Sequence, residues 1–173
     1  PFLPWFLRQL HAHEKATGET LLDIVTVHFY PQADGVYSDS ATPTHQLRRV
    51  ATTRSLFDPS YRDPSWIRER VALLPRLRGW IDDCYPGRGL GLTEYNWGGE
   101  EDFSGALALA DVLGILGREG ADLGCYWTHP PKGSPAWQAY LLYRNADGRG
   151  AAFGRFAWEA VPEDAGRPRY EAC

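Results

Sequence analysis

Three short apolar runs, separated by segments with helical spacing of apolar residues, constrain the fold of this chain more than any other feature. The runs lie at 21–31, 90–95 and 123–128, and the first is rich in β-branched residues. The helical patterns cover about 4–15, 63–84, 102–117 and 137–143. Strands that alternate with helices in this way are typical of a parallel sheet with right-handed crossovers. We therefore predict an α/β fold whose strands are buried on both faces.

Residues that begin or interrupt helices mark the borders of these elements. Gly18 is expected to end the first helix, and Asp63 before Pro64 is typical of a helix N-terminus. Pro75 lies inside the second helical pattern, so we predict a kink or a break there. Residues 32–63 are polar and rich in turn formers. Because plain connections are shorter, we predict a functional or mobile loop in this segment.

The length of the chain limits how much of a barrel it can form. Three strands cannot close a barrel, and a (β/α)8 barrel needs about 250 residues, more than the 173 present. The chain has no methionine and begins with Pro1, so we expect a piece of a larger protein. Residues 1–152 are predicted to be part of a barrel, and residues 153–173 to begin an incomplete second unit.

Composition excludes several classes of function. The net charge of -4 argues against nucleic acid and anionic membranes as partners, and no apolar run reaches the roughly 20 residues of a membrane helix. Cys84, Cys125 and Cys173 lack metal-ligand or redox spacing, so we interpret them as buried thiols. The 7 Trp and 9 Tyr residues suit either an ordinary core or the stacking of sugar rings.

Polar and aromatic residues follow each predicted strand at its carboxyl end, where α/β enzymes place their active sites. Leu90, Leu92 and Glu94 would share one face of an extended strand, and a carboxylate that continues an apolar face needs a partner or a function. His28 and Tyr30 also share a face, so Tyr30 is placed to donate a hydrogen bond to Glu94. The alternative is that both are satisfied polar residues at a strand end.

Several sequence blocks in series resemble glycoside hydrolase family 44, from about residue 2 to residue 154. They are His28-Phe29-Tyr30-Pro31-Gln32, Thr53-Arg54-Ser55-Leu56-Phe57-Asp58-Pro59, Leu92-Thr93-Glu94-Tyr95-Asn96-Trp97-Gly98-Gly99, Ala110-Asp111-Val112-Leu113-Gly114-Ile115-Leu116-Gly117-Arg118-Glu119-Gly120 and Leu142-Tyr143-Arg144-Asn145-Ala146-Asp147-Gly148. The resemblance implies a secreted, retaining endo-β-1,4-glucanase (a cellulase) with a (β/α)8 barrel and a β-rich second domain. It identifies the three strands as the sixth, seventh and eighth of that barrel.

The resemblance also implies roles for two residues: Glu94 would be the nucleophile, and Trp127 the eighth-strand aromatic beside the cleaved sugar. From the positions of the other residues we expect Tyr30 to orient Glu94. We also expect contacts to a β-1,4-linked polysaccharide from His28, Tyr95, Asn96, Trp97, Trp127 and Arg54. The family's acid/base lies in an Asn-Glu-Pro-like motif that these 173 residues do not contain, so we expect the fragment alone to be inactive and to need the N-terminal half of the barrel.

Other interpretations of these residues stay open. Glu100, Glu101 or Asp102 would be a substitute acid, although Asp102 fits a helix N-cap better. Arg54 and Asp58 would line the cleft or form a surface salt bridge. The chain would otherwise be a non-catalytic sugar-binding or structural half-barrel, or a relative that acts on xylan, xyloglucan or mannan. No cofactor is expected, and no ligand cluster for a structural calcium or zinc stands out.

Overall fold

The computed structural model describes residues 1–145 and 147–152. Its elements are α1 (Phe2–Thr17), β1 (Ile24–Phe29), α2 (Pro43–Ala51), a 3₁₀ helix (Thr52–Leu56), α3 (Leu73–Cys84), β2 (Gly89–Tyr95), α4 (Phe103–Arg118), β3 (Leu123–Tyr126) and α5 (Pro135–Tyr143). None of the described helices is long and apolar enough to cross a membrane. The predicted second unit at 153–173, with Cys173, lies outside the described residues.

The three strands form one parallel sheet in the order β1-β2-β3. This arrangement confirms the predicted α/β class, because each strand is followed by helical structure before the next strand begins. Within the described residues β1 and β3 are the two edges of the sheet. The carboxyl ends of all three strands therefore lie along one side of the sheet, which is the side where Glu94 is found.

The sheet has one face that is packed against helices and one that is open. Val25, Leu90 and Leu92 are fully buried in a core that also contains side chains of α1, α3 and α4. Thr26 and His28, on the opposite side of β1, are exposed. The prediction that this strand is buried on both faces is therefore wrong for the described chain, since the helices cover one face alone.

Helices α1 and α3 pack together beneath the sheet, with partly different limits from those predicted. Gly18 ends α1 in the left-handed conformation at φ 75°, as expected for a C-terminal glycine. Helix α3 begins at Leu73 and not at Asp63, because the Asp63 carboxylate is used by Ser55 and Ser65 in a local turn. Pro75 thus lies in the first turn, where its missing N–H costs no helical hydrogen bond, and α3 continues to Cys84 without the predicted interruption.

The segment predicted to be a loop contains the short helix α2. Thr42 caps this helix by accepting a hydrogen bond from the His45 amide, and Pro43 occupies the first helical position. The guanidinium of Arg49 is completely buried and donates hydrogen bonds to the main-chain oxygens of Val36, Ser38 and Ser40. Arg49 thereby fixes the loop that follows β1 to the body of the domain.

Helix α4 begins as predicted, with the Asp102 carboxylate accepting a hydrogen bond from the Ser104 amide at 2.9 Å. A Cβ at Gly105 would overlap the carbonyl oxygen of Gly99, so glycine is needed for the helix to approach the β2–α4 loop this closely. Phe103, the first residue of α4, is 71% exposed although an apolar residue at helical spacing is expected on the buried face. The prediction that Cys84 is buried is confirmed, whereas Cys125 is exposed on the open side of β3.

Candidate active site

A β-bulge in β2 directs Glu94 to the open face of the sheet. Val27 pairs with Leu92, but the next residue of β1, His28, pairs with Glu94, so β2 contains one extra residue at Thr93. Because paired residues of neighbouring strands point to the same side, Glu94 lies on the side of His28 and opposite to Leu92. The prediction that Leu90, Leu92 and Glu94 share one face is therefore wrong.

Two side chains from β1 and its end contact the same oxygen of Glu94. The Tyr30 hydroxyl donates a hydrogen bond to Glu94 Oε2 at 2.8 Å, which is the contact predicted from the sequence. His28 Nδ1 lies 3.2 Å from that oxygen. The Glu94 side chain keeps 28% of its surface exposed, so the carboxylate is held in place by two neighbours and remains open to a ligand.

The electrostatic environment keeps Tyr30 in its neutral, donating form. Burial of the hydroxyl, followed by its hydrogen bond to Glu94, raises the pKa of Tyr30 to about 12. The ring of Tyr37 packs edge-on against that of Tyr30 with 5.5 Å between their centroids. A tyrosine with this pKa stays protonated through the neutral range and so keeps its proton for the hydrogen bond to Glu94.

Trp127 follows β3 directly and supplies a flat apolar surface at the same end of the sheet. Its ring is 48% exposed. Its main-chain amide donates to the Tyr95 oxygen at 3.0 Å, which ties Trp127 to the residue that follows Glu94. A half-exposed indole at the end of the sheet that carries Glu94 offers a surface on which the apolar face of a sugar ring can stack.

A second exposed tryptophan near this end was not predicted. Trp66 is 76% exposed, and its indole N–H lies 3.4 Å from Gln32 Oε1. Gln32 in turn donates to the main-chain oxygen of Tyr30. The sequence placed Trp66 in the inferred helix starting at Asp63, where an exposed aromatic has no special meaning. Its position in a loop connected to Tyr30 makes it a candidate sugar contact.

Three kinds of comparison with known proteins agree with one another. The family model described as "Glycoside hydrolase family 44" matches residues 1–33. Endoglucanase A of Paenibacillus lautus is 36% identical over 172 residues, which covers 94% of this chain and 25% of the relative. The chain thus spans about a quarter of the length of that curated relative.

Solved structures agree in both sequence and shape. The bifunctional glucanase-xylanase CelM2 from a metagenome library is 47% identical with a TM-score of 0.85, covering 88% of this chain and 29% of its own. The Paenibacillus polymyxa xyloglucanase from family 44 is 37% identical with a TM-score of 0.80, covering 88% of this chain and 32% of its own. The chain belongs to glycoside hydrolase family 44.

Three residues that we expected to contact the glycan are buried in this family 44 chain. Tyr95 is fully buried, and its hydroxyl lies 2.9 Å from that of Tyr140. Trp97 is 2% exposed, packs against Phe29 in the core and donates its indole N–H to Thr52. Asn96 is 6% exposed. The described structure therefore gives these side chains structural contacts and no access to a sugar, because the chain after Glu94 turns inward.

Arg54 is engaged by another charged side chain. Its guanidinium donates to Asp58 Oδ2 through two nitrogens, at 2.9 and 2.6 Å, and lies over the ring of Tyr61. Hydrogen bonds from Ser60, with smaller contributions from Arg54, lower the pKa of Asp58 to about 2. This geometry matches the alternative that the sequence left open, a surface salt bridge between Arg54 and Asp58.

Two carboxylates of the loop between β2 and α4, those of Glu100 and Asp102, are held in structural contacts. Asp102 caps α4, and hydrogen bonds from Ser104 lower its pKa. Glu100 Oε1 accepts hydrogen bonds from the Tyr126 hydroxyl and the Asn96 amide. Among the described residues no cluster of three or more His, Cys, Asp or Glu side chains is arranged to hold a metal ion.

Proposed function

We propose that this chain is the nucleophile-bearing part of a retaining glycoside hydrolase that cleaves β-1,4-linked glucans internally. The observation that carries the proposal is the shared contact of Tyr30 and His28 with one oxygen of Glu94, at the carboxyl ends of adjacent parallel strands. The family membership and the endoglucanase and glucanase-xylanase names of its relatives support the same reaction class.

In this mechanism Glu94 attacks the anomeric carbon and forms a glycosyl-enzyme, which water then hydrolyses. Tyr30 and His28 hold one carboxylate oxygen, so the other is presented to the substrate. The neutral Tyr30 hydroxyl stabilises the anionic carboxylate before attack. The exposed rings of Trp127 and Trp66 are the surfaces on which we place the glycan. No cofactor is needed, because one carboxylate supplies the nucleophile and a second carboxyl group supplies both proton transfers of the reaction.

The open face of the sheet supports the proposal that the chain is part of a (β/α)8 barrel. Thr26, His28 and Cys125 are exposed on that face, and β1 and β3 are unpaired edges within the described residues. In a closed barrel the edge strands pair with neighbouring strands, and the open face becomes the interior into which such residues point. We therefore propose that β1, β2 and β3 are the last three strands, with the other strands and the acid/base on another part of the protein.

The experiment that tests this function is covalent labelling of the complete protein with a 2-fluoro glycoside that carries an activated aryl leaving group. Its good leaving group needs little acid assistance, so labelling reports the nucleophile alone. We expect the label on Glu94 and its absence in Glu94→Gln, whose kcat should fall on the order of 10⁴-fold. Glu101→Gln, a neighbouring exposed carboxylate, is the matched control and should still be labelled.

Labelling of a different carboxylate would show that Glu94 is not the nucleophile. A separate assay addresses the missing acid: the isolated chain should fail to hydrolyse unactivated cellulosic oligomers. Normal turnover by the isolated chain would contradict the half-barrel proposal. Binding of oligomers without labelling of Glu94 would favour the second candidate, a non-catalytic sugar-binding unit, which the exposed Trp66 and Trp127 rings also fit. Parallel assays on xylan, xyloglucan and mannan would define the substrate. Because such polymers lie outside the cell, we propose that the complete protein is secreted.

A further inference from the structure

Glu100 is the centre of a hydrogen-bonded cluster that the proposed mechanism does not use. Its Oε1 accepts one hydrogen bond from the Tyr126 hydroxyl at 2.7 Å and another from Asn96 Nδ2 at 3.2 Å. Its main-chain oxygen accepts from the amide of Ala136, at the start of α5, at 3.1 Å. Glu100 therefore connects three parts of the chain, which are the β2–α4 loop, the end of β3 and α5.

Asn96 extends this cluster to Trp127. The same Nδ2 that contacts Glu100 donates to the main-chain oxygen of Trp127 at 2.5 Å. Asn96 Oδ1 accepts from the amide of Gly98 at 2.6 Å. The amide group of Asn96 is thus fully used in fixing main chain, and with 6% exposure it has no surface to offer to a substrate.

Tyr126, the other donor to Glu100, is held on its remaining sides by aromatic rings. The rings of Tyr95 and Tyr140 lie edge-on to it, with centroids 5.6 and 5.9 Å away. Its neighbour in sequence is Trp127, whose amide donates to the Tyr95 oxygen. The main chain around Trp127 is therefore held at its amide by Tyr95 and at its carbonyl by Asn96, and Glu100 contacts both Asn96 and the preceding residue, Tyr126.

We propose that Glu100 is a positioning residue that acts through Asn96 and Tyr126 to fix Trp127 relative to Glu94. The inference rests on the proposed function, in which Trp127 is a platform for the glycan. Without the Glu100 acceptor, one proton of the Asn96 amide and the Tyr126 hydroxyl lose their partner in a partly buried site. Such groups seek new partners, and the Trp127 carbonyl is released from its fixed place.

The chemistry of Glu100 differs from that of a general acid. Its Oε1 already accepts hydrogen bonds from two donors, whereas a general acid must present a proton to the leaving group. The cluster needs an acceptor and does not need a titrating proton. A glutamine at this position supplies an acceptor oxygen but cannot transfer a proton, so Glu100→Gln separates the two roles.

The test is a double-mutant cycle in the complete protein, with kcat/KM measured on β-1,4-gluco-oligosaccharides. Glu100→Ala should lower kcat/KM about 10- to 100-fold, the range expected when a substrate contact shifts by about 1 Å. Glu100→Gln should recover most of that loss. In a Trp127→Ala background, Glu100→Ala should change kcat/KM by less than about threefold, because the residue through which it acts is already gone. Glu101→Ala is the matched control and should match the wild type.

Three results would overturn the inference. One is a Glu100→Gln variant as impaired as Glu100→Ala, which would indicate a proton-transfer role. Another is full additivity of Glu100→Ala with Trp127→Ala. The third is a wild-type level of activity for Trp127→Ala alone, which would remove the platform in the proposed function and the inference with it. If Glu100→Ala does not fold, Tyr126→Phe removes a single hydroxyl donor and is tested in the same cycle, with the same expected direction.

Discussion

The two faces of the sheet are built from the same three strands and differ in what covers them. The helix-packed face contains Leu90, Leu92 and Tyr95 without measurable exposure, so its side chains are fixed by packing. The open face carries Glu94, His28 and Thr26, which are fixed by hydrogen bonds or are free in solvent. Packing thus makes one face rigid, and the other is the face on which we propose that the reaction takes place.

The contrast is clearest between two tryptophans that sequence alone does not distinguish. Trp97 is 2% exposed in the core, and Trp127 is 48% exposed at the strand ends. Both follow a strand and both were predicted to contact sugar. Their different surroundings imply that one contributes mainly to stability and the other mainly to substrate binding.

The largest expected effect comes from a charge on the open face. If this face lines a barrel in the complete protein, Thr26→Arg buries an unpaired charge, and we expect a loss of more than about 5 kcal/mol in the free energy of unfolding. Thr44→Arg, at an exposed position in the first turn of α2, is the control and should change stability by less than about 0.5 kcal/mol. Chemical denaturation of both variants is the measurement, and an unaffected Thr26→Arg would contradict the barrel proposal.

The next effect separates the two tryptophans. Trp97→Ala should lower the free energy of unfolding by about 3–5 kcal/mol, since it leaves a cavity beside Phe29 and removes the donor to Thr52. Trp127→Ala should change stability much less and instead raise KM for oligosaccharides. Thermal unfolding and steady-state kinetics on the same two proteins give both quantities. Equal stability losses would show that exposure does not divide their roles.

The smallest expected effect comes from removing the Tyr30 hydroxyl, which donates a hydrogen bond to Glu94 on the neighbouring strand. Tyr30→Phe removes a hydrogen bond to a carboxylate and should lower kcat about 10- to 100-fold, the usual range for a bond to a charged group. The pKa of Tyr30 is raised in the folded state from 10.0 to about 12. Its stabilising contribution is therefore complete below pH 10 and is lost as the pH rises through about 12.

Spectroscopic titration of tyrosinate checks the sign and the assignment. When the titration curve of Tyr30→Phe is subtracted from that of the wild type, the difference should show one group that ionises near pH 12, well above the pKa of an ordinary tyrosine. Tyr37→Phe, which removes a hydroxyl from the neighbouring ring, should retain this high-pH step. A difference titration centred at pH 10 would mean that the bond between Tyr30 and Glu94 is not formed in solution.

The fold was predictable to the extent that local patterns determine it. Apolar spacing located all three strands, and Asp102 was recognised as a cap because capping depends on a few neighbouring residues. The Thr42-Pro43 pair carried the same kind of signal for α2 and was overlooked in a polar segment. Asp63-Pro64 resembled a helix start, but the carboxylate bonds to Ser55 eight residues earlier, a contact that no local rule contains.

The site was predictable in its residue types and less so in its orientations. Alternation along β1 placed His28 and Tyr30 together, and both do reach Glu94. Alternation along β2 failed because the bulge depends on pairing with a neighbouring strand. The inward turn after Glu94 likewise results from long-range contacts, such as that of Trp97 with Thr52.

The bulge at Thr93 means that the site depends on how β2 pairs with β1 as well as on the identity of its residues. If Thr93 paired with His28 in a regular register, Glu94 would turn toward the helices and Thr93 would take its place on the open face. A slip of one residue in this pairing would therefore be more damaging than most substitutions in the same strand. Any attempt to transfer the Thr-Glu-Tyr segment to another barrel would have to reproduce this pairing as well.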